Sequence, residues 1–336
     1  VDMRKELQER NFSVLSRALQ QELVRTAAAG EQAIVLLNRR GYSTFVMCRD
    51  CGETIMCPHC AVALVYHEEG KAMRCHYCGN TMPVPEECPK CHSRRIKFFG
   101  TGTQKAEAQI AALPEVKVLR MDQDSTLRKF AHEEILNAFS SGRYNVLIGT
   151  QMVAKGHDIP NVTLVGVLSA DSMLNMPDFR AYERAFSLLT QAAGRAGRGD
   201  KPGHVILQVY DADNRTVHLA AAQDYDTFAK EELLRRKELN YPPYAAFLKI
   251  TVWDKNEERA NGTAKEIADF LEQQAKNTDA EVFGPFAGII GKVRDLYRVN
   301  VLVKSTQINI FKTALWQSTY RDMKNVYFDV DPFNVL

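Results

Sequence analysis

Eight cysteines fall in four C-x-x-C pairs between Cys48 and Cys91, and the rest of the 336 residues contain none. The pairs are Cys48/Cys51, Cys57/Cys60, Cys75/Cys78 and Cys88/Cys91. A C-x-x-C turn points two thiolates at one tetrahedral ion, and a second turn completes the site. Four pairs therefore imply two structural zinc ions. Disulfides are the rival use of cysteine, but this clustering, in a sequence that opens with no signal peptide, argues for metal. Redox chemistry suits a lone C-x-x-C and loses its appeal when every pair finds a partner. Gly52 and Gly79 follow their pairs and relieve crowding in those turns.

Spacing constrains which pairs share an ion. Residues 61–74 between Cys60 and Cys75 read as a hairpin: strand 62–67, turn 68–71, strand 72–74. That is zinc-ribbon spacing, so Cys57, Cys60, Cys75 and Cys78 are expected to hold one ion. The outer pairs, Cys48, Cys51, Cys88 and Cys91, then hold the other. Direct pairing of Cys48/Cys51 with Cys57/Cys60 is disfavoured by the short link 52–56. His59, His76 and His92 could ligate, but sulfur already completes each site, so they are expected to be exposed neighbours.

The window is acidic, with Asp50, Glu53, Glu68, Glu69, Glu86 and Glu87 against Arg49, Lys71, Arg74 and Lys90. Each Zn(Cys)₄ centre adds about −2. Such a knuckle clamps phosphate poorly and suits a brace or a protein-docking surface. Its base is basic, at Arg39, Arg40, Arg94, Arg95 and Lys97, and could face a DNA backbone.

Outside the window, buried-strand patterns at 33–37, 96–99, 116–119, 144–148, 162–168 and 204–208 alternate with helical ones at 13–29, 103–113, 126–140 and 180–193. This alternation predicts an α/β lobe with a parallel sheet, interrupted after its first strand by the cysteine module. A charged helical stretch, 213–239, leads to Tyr241-Pro-Pro-Tyr244, where the two prolines mark a boundary. Strands at 245–252, 281–290, 296–303 and 325–330, with helices at 257–275 and 307–320, give a C-terminal α+β unit. Its β-α-β-β-α-β order is ferredoxin-like in outline. The expected domains are 1–47 with 92–240, then 48–91, then 241–336. No apolar run approaches the ~18 residues of a membrane span.

Gln191-Ala-Ala-Gly-Arg-Ala-Gly-Arg198 carries the clearest chemistry. Its glycines let the backbone approach a ligand closely. Its arginines stay charged and fork around phosphate oxygens. The pattern suits reaching across a cleft to a nucleotide held by another lobe. A P-loop reads G-x-x-x-x-G-K-[ST], yet Gly70-Lys71 and Gly291-Lys292 are followed by Ala72 and Val293. Gly100–Lys105 lacks the third glycine of a dinucleotide fingerprint, and Tyr327–Asp331 reads as a polar strand end. Thr150–Asp158 follows a buried strand and precedes another, at the strand end where α/β folds bind ligands.

Thr150–Asp158 and Gln191–Arg198 together resemble motifs V and VI of superfamily 2 helicases. Around them stand Asn38–Tyr42 before the cysteine pairs, Phe99–Thr103 after them, Ala170-Asp171, Pro177–Arg184, Tyr241–Tyr244 and Asp329–Pro332. Across essentially the whole chain this set resembles the PriA family of replication-restart helicases (primosomal protein N′). One departure is Gln104, where the family usually carries an acidic residue.

The resemblance implies a RecA-like second helicase lobe, an inserted two-zinc module and the C-terminal domain of a longer protein, whose P-loop lobe would precede Val1. It implies an ATP-dependent 3′-to-5′ DNA helicase that acts at stalled forks and assembles the primosome. Arg195 and Arg198 would be arginine fingers on the γ-phosphate, with Gln191 sensing nucleotide or the attacking water. Gly156, Asp158 and Gly194 would line the nucleotide cleft, although plain turn chemistry also explains Gly156 and Gly194. ATP and Mg²⁺ would be held mainly by the other lobe. Thr150 and the helix start at Gly100, Thr101, Gly102 and Thr103 would meet the DNA backbone.

In the C-terminal unit Lys292, Arg294, Arg298 and Lys304 surround Tyr297, which suits single-stranded DNA. A solvated strand pair explains them equally well, because charges balance across 241–336. The implied partners are forked and single-stranded DNA, single-stranded DNA-binding protein, and primosome and helicase-loading proteins. The implied setting is a monomer in the bacterial cytoplasm, at the nucleoid. The competing reading is a non-catalytic zinc-ribbon scaffold for DNA or proteins, which would have no use for Gln191–Arg198.

Overall fold

The computed structural model describes residues 1–37, 44–67, 70–99, 103–121, 131–149, 159, 161–196, 201–333 and 335. The first strand, β1 (Gln32–Leu37), is buried along its whole length, as expected of a strand covered on both faces. The helix before it, Arg17–Ala28, starts later than periodicity alone predicts. Ser16 is its N-cap, accepting from the Leu19 amide at 3.2 Å, while Ser13 is engaged with Gln109 at 2.9 Å.

The chain then leaves the parallel sheet. Strands β2 (Thr44–Cys48), β3 (Val65–His67), β4 (Ala72–Arg74), β5 (Thr81–Pro83) and β6 (Ile96–Phe99) form a separate antiparallel sheet in the order β5-β4-β3-β2-β6. This corrects the assignment of 96–99 to the parallel sheet. Strand β6 pairs antiparallel with β2, Val46 facing Phe98 and Cys48 facing Ile96. A short apolar run announces a strand without naming its partner, and β2 itself is not apparent from the sequence. The sheet of the cysteine region thus reaches from Thr44 to Phe99, wider than the window 48–91.

Helix Thr103–Ala111 leads back into β7 (Val118–Met121). Helix Ala131–Ser140 and strands β8 (Val146–Gly149), β9 (Val162–Leu168) and β10 (His204–Leu207) complete the lobe. The five strands are all parallel, in the order β10-β9-β1-β8-β7. Helix Arg17–Ala28 lies close against β9 at Gly166, where a Cβ would sit 2.8 Å from Leu19 Cδ1. Helix Ala181–Ala193 covers the other face, burying Ala185, Phe186, Leu189 and Ala192 in the core with Val165 and Val167. The charged stretch after β10 splits into helices Arg215–Ala221 and Tyr225–Glu238, capped by Asn214 and Asp224. Among the described residues, no helix is long and apolar enough to cross a membrane.

The C-terminal unit contains β11 (Ala246–Asp254), β12 (Glu281–Val293), β13 (Leu296–Ser305) and β14 (Val326–Val330). They form an antiparallel sheet in the order β12-β13-β11-β14, as the ferredoxin-like outline requires. Helices Glu257–Ala275 and Ile308–Gln317 cover one face, packing Ile267, Leu271, Phe311 and Leu315 on Leu248, Ile250, Val301 and Val303. The opposite face carries Phe247, Phe286 and Leu302, which enter a core shared with the cysteine region.

Candidate metal centres and the arginine-motif helix

All four C-x-x-C pairs adopt one backbone turn. The amide after the second cysteine donates to the carbonyl of the first: Gly52 to Cys48, Ala61 to Cys57 and Gly79 to Cys75 at 3.0 Å, His92 to Cys88 at 2.9 Å. The amide of each first cysteine donates in turn to the residue five positions on, Glu53, Val62, Asn80 or Ser93. The residue after each pair has positive φ: Gly52 at 79°, Ala61 at 48°, Gly79 at 72° and His92 at 58°. Glycine adopts this conformation freely; Ala61 and His92 are held in it by the turn.

These turns bring the sulfurs together in two groups, Cys48/Cys51/Cys88/Cys91 and Cys57/Cys60/Cys75/Cys78, each within 4.8 Å. The nested pairing expected from spacing is therefore the one adopted. Sulfur–sulfur distances of 3.6 Å for Cys48–Cys91, Cys51–Cys88 and Cys57–Cys78 far exceed a disulfide bond of about 2.05 Å. They match the ~3.8 Å edge of a sulfur tetrahedron around zinc, given Zn–S near 2.3 Å. Backbone amides of Tyr77 and Lys90 point at Cys75 and Cys88 Sγ, each at 3.4 Å. Amide donors of this kind stabilise thiolate charge. Two four-cysteine clusters of this geometry are consistent with two structural zinc ions.

The two centres differ in surroundings. In the outer group Cys91 is exposed and Cys51 half-buried, whereas three of the four inner cysteines are buried. Around the outer group Arg95 pairs with Asp50 at 2.7 Å, Arg94 with Glu87 at 3.1 Å and Lys90 with Glu53 at 3.3 Å. The basic residues at the base thus neutralise part of the module's own acidity. Lys97 is exposed, and Arg39 and Arg40 lie outside the described residues.

His59 and His92 are exposed, but the expectation fails for His76, which is 1% exposed. Its Nε2 lies 3.1 Å from that of His67. Burial, with His67 alongside, pushes its pKa down to about 4, so the ring is neutral at physiological pH. His76 lies in the turn that follows Cys75, against the backbone of Ala287 in the C-terminal unit, which a reading of the cysteine spacing alone does not reveal.

Tyr77, inside the Cys75/Cys78 turn, is fully buried. Its hydroxyl accepts from the Phe179 amide at 2.9 Å. Tyr241 donates its hydroxyl to the Cys60 carbonyl at 2.6 Å. Phe179 stacks on Tyr241 at 5.3 Å, and Phe247 completes the group. Three segments distant in sequence therefore meet behind the inner centre: a zinc turn, the 177–184 segment and the Tyr241–Tyr244 turn. Aromatic residues beside cysteine or proline signals are the sequence trace of this junction.

The same segment launches the helix toward the arginine motif. Asp178, whose side chain is 1% exposed, pairs with Arg184 at 3.0 Å and accepts from the Arg180 amide at 2.8 Å. Arg180 and Arg184 also donate to the Phe333 carbonyl at 3.0 and 2.9 Å. At the far end of helix Ala181–Ala193, Gln191 is exposed and donates to Ser187 Oγ at 3.0 Å. Gly194 is exposed and Arg195 half-buried in the turn that follows. Arg198, Gly156, Asp158, Thr150, Gly100, Thr101 and Gly102 lie outside the described residues, and Thr103 is described only as the start of its helix.

In the C-terminal unit Lys292 and Arg294 are exposed at the β12–β13 hairpin, whose tip residues Arg294 and Asp295 have φ of 49° and 63°. Lys292 sits 4.9 Å over Tyr297, and the Arg298 guanidinium 4.6 Å over Trp253. Lys304 belongs elsewhere: it pairs with Glu281 and donates to the Leu239 carbonyl at 3.3 Å.

Comparison with known proteins draws these parts together. Residues 237–333 match the family model of the primosomal protein N C-terminal domain, 57–83 the PriA DNA helicase Cys-rich region, and 86–200 the helicase conserved C-terminal domain. The replication restart protein PriA of Bacillus subtilis is 45% identical, over 100% of this chain and 43% of its own length. That of Synechocystis is 41% identical, over 100% and 41%. That of Treponema pallidum is 38% identical, over 96% and 50%. The chain thus spans half or less of these relatives. It belongs to the PriA replication restart helicase family and corresponds to that family's C-terminal region, with the helicase C-terminal lobe, the Cys-rich zinc region and the PriA C-terminal domain.

Proposed function

We propose that this chain supplies the second motor lobe, the zinc module and the C-terminal domain of an ATP-dependent 3′-to-5′ DNA helicase acting at stalled or collapsed forks. The observation that carries the reading is the helix Ala181–Ala193. Its start is fixed at the zinc junction, and its end presents Gln191, Gly194 and Arg195 in the arginine motif. ATP and Mg²⁺ would bind chiefly to a P-loop lobe of the longer protein. On closure Arg195 and Arg198 would neutralise charge developing on the γ-phosphate, Gln191 would orient water, and Gly156, Asp158 and Gly194 would line the cleft edge. Reopening would ratchet one strand across the lobes.

DNA would be met by Thr150, by the helix start at Gly100–Thr103, by Arg39 and Arg40 under the zinc module, and by Lys292, Arg294 and Arg298. The functional units are residues 1–47 with 92–240, the module 48–91, and 241–336, with β2 and β6 serving the module's sheet. Primosome proteins and single-stranded DNA-binding protein are the expected protein partners, inside the bacterial cell.

The test joins this chain to a P-loop lobe. Arg195→Ala should lower DNA-stimulated ATPase by about 10³-fold, within the range of other arginine fingers, while DNA binding persists. Intact ATPase in that variant would leave the scaffold reading in possession. The 336 residues alone should show no turnover in a clean preparation.

A further inference from the structure

The C-terminal sheet has two unlike faces. Leu248, Ile250, Val252, Val299, Val301 and Val303 point to the helices. Alternation along each strand sends Phe247, Lys249, Thr251 and Trp253 of β11, and Arg298, Asn300 and Leu302 of β13, to the face without helices. Strand register fixes the rows: Trp253 faces Arg298, Thr251 faces both Asn300 and Tyr327, and Lys249 faces both Leu302 and Asp329. One end of this face, at Phe247, Phe286 and Leu302, is buried against the zinc junction. The other end is partly open, with Trp253 and Arg298 half-buried and Tyr327 exposed. Tyr327 is 58% exposed there, edge-on to Trp253 with ring centres 6.0 Å apart. The Arg298 guanidinium lies over the same Trp253 ring.

We infer that this open half-face, formed by Tyr327, Trp253 and Arg298, is a stacking platform for the unpaired bases of single-stranded DNA. The inference rests on the DNA reading above and names what the hairpin basics alone do not: where the bases go. A four-stranded β-α-β-β-α-β sheet with one helix-free face is the arrangement in which RNA-recognition domains stack bases on aromatics of their central strands. Here β11 and β13 are the central strands and carry Trp253 and Arg298; the edge strand β14 adds Tyr327. Every base has a π-face, so such a platform is sequence-tolerant. Charge fits the same occupant. Arg298 and Lys249 are on the face, and Lys292 and Arg294 are at the adjoining hairpin tip, against Asp329 and Asp295. A strand crossing the sheet would set its bases on the rings and carry its phosphates past the tip.

The chain has two tryptophans, Trp253 and Trp316. Trp316 is 69% exposed, on the helix side of the unit. A Trp316→Phe chain therefore reports on Trp253 alone. Titration with oligothymidylate should quench its emission to saturation, in step with anisotropy of the labelled oligomer. Tyr327→Ala should weaken binding by about 10-fold, as expected for one lost stacking contact, and Tyr327→Phe should restore it. Tyr327 is mostly exposed, so its removal spares the core. Binding without quenching, or unchanged affinity in Tyr327→Ala, overturns the platform. If the double variant Lys292→Ala/Arg294→Ala then still loses affinity, the hairpin reading stands without it; if neither variant loses affinity, the DNA reading of the whole domain falls too. Binding confined to oligouridylate, or quenching by a partner protein only, also overturns the assignment.

Discussion

The hydroxyl of Tyr241 donates to the carbonyl oxygen of Cys60 at 2.6 Å, fastening the turn that opens the C-terminal domain to a metal-binding knuckle. From the other side Tyr77, within the partner knuckle, accepts the Phe179 amide at the root of the motor helix. The inner metal centre is thus the common backing of three units rather than an outlying finger. Its integrity should govern how the C-terminal domain sits on the lobe.

Tyr241→Phe keeps the ring and removes only the hydroxyl, leaving a buried carbonyl without that donor. A loss of about 1–2 kcal/mol in unfolding free energy is expected. Tyr77→Phe strands the buried Phe179 amide and should cost about 1–3 kcal/mol. The two rings meet edge-on and both contact Phe247, so the double variant should depart from additivity. Urea denaturation of the four proteins measures each term and the coupling.

Metal should leave in two steps. The outer site offers Cys91 and Cys51 to solvent, whereas the inner site is enclosed by Tyr77, Tyr241 and Phe247. A chromogenic chelator should therefore draw one zinc quickly and the second slowly, two per chain in total. Cys91→Ser should speed the fast phase alone. The slow phase should coincide with loss of near-ultraviolet signal from the aromatic junction, because structural zinc contributes about 10–16 kcal/mol of apparent binding free energy to folding. Release in one phase, or a total of one ion, would contradict the arrangement.

Both metal clusters were legible in the sequence because C-x-x-C geometry is local and four pairs leave few nestings. The strands of the C-terminal unit were legible for a similar reason: alternation such as that of β11 survives in the sequence. The partner of β6 was not legible, since Ile96–Phe99 would suit either sheet and only the three-dimensional course of β2 decides. The burial of His76 is hidden from the sequence for the same reason. Its burial comes from a domain that begins far downstream, and ligand spacing carries no trace of that contact. The aromatic row Tyr327, Trp253 and Arg298 was half visible: the basic hairpin stood out, but the two rings lie on strands distant in sequence.

Asp171 is a test of buried charge. Its carboxylate is fully buried and accepts from the amides of Tyr210 at 2.9 Å and Asp211 at 2.9 Å. Burial raises its pKa despite those donors. The native state then holds the proton more tightly than the unfolded chain, so this group's contribution to stability falls as pH rises from about 4 through the raised value. Asp171→Asn abolishes that titration. The stability difference between wild type and variant should shift toward wild type as the solution is acidified, and a pH-independent difference would contradict the shift. Asp171→Ala should cost about 1–3 kcal/mol for each amide left without an acceptor.

Gly52 and Gly79 occupy equivalent places in two knuckles and should respond differently to alanine. Both have positive φ, 79° and 72°, so each substitution incurs about 1–2 kcal/mol of left-handed strain. Around Gly79 nothing lies within 4 Å of where an added methyl would sit, and strain should be the whole effect. At Gly52 the methyl would lie 2.7 Å from the Tyr210 carbonyl oxygen and 3.0 Å from Asp211 Cα, backbone atoms that Asp171 holds in place. Gly52→Ala should therefore push the outer knuckle off the lobe, destabilise more than Gly79→Ala and hasten release of the first zinc. Ala61→Gly is the converse test: at φ 48°, glycine should stabilise the inner knuckle by about 1 kcal/mol. Thermal denaturation with zinc release followed in parallel separates the three, and equal effects of the two glycine substitutions would remove the outer knuckle from its docking against Tyr210.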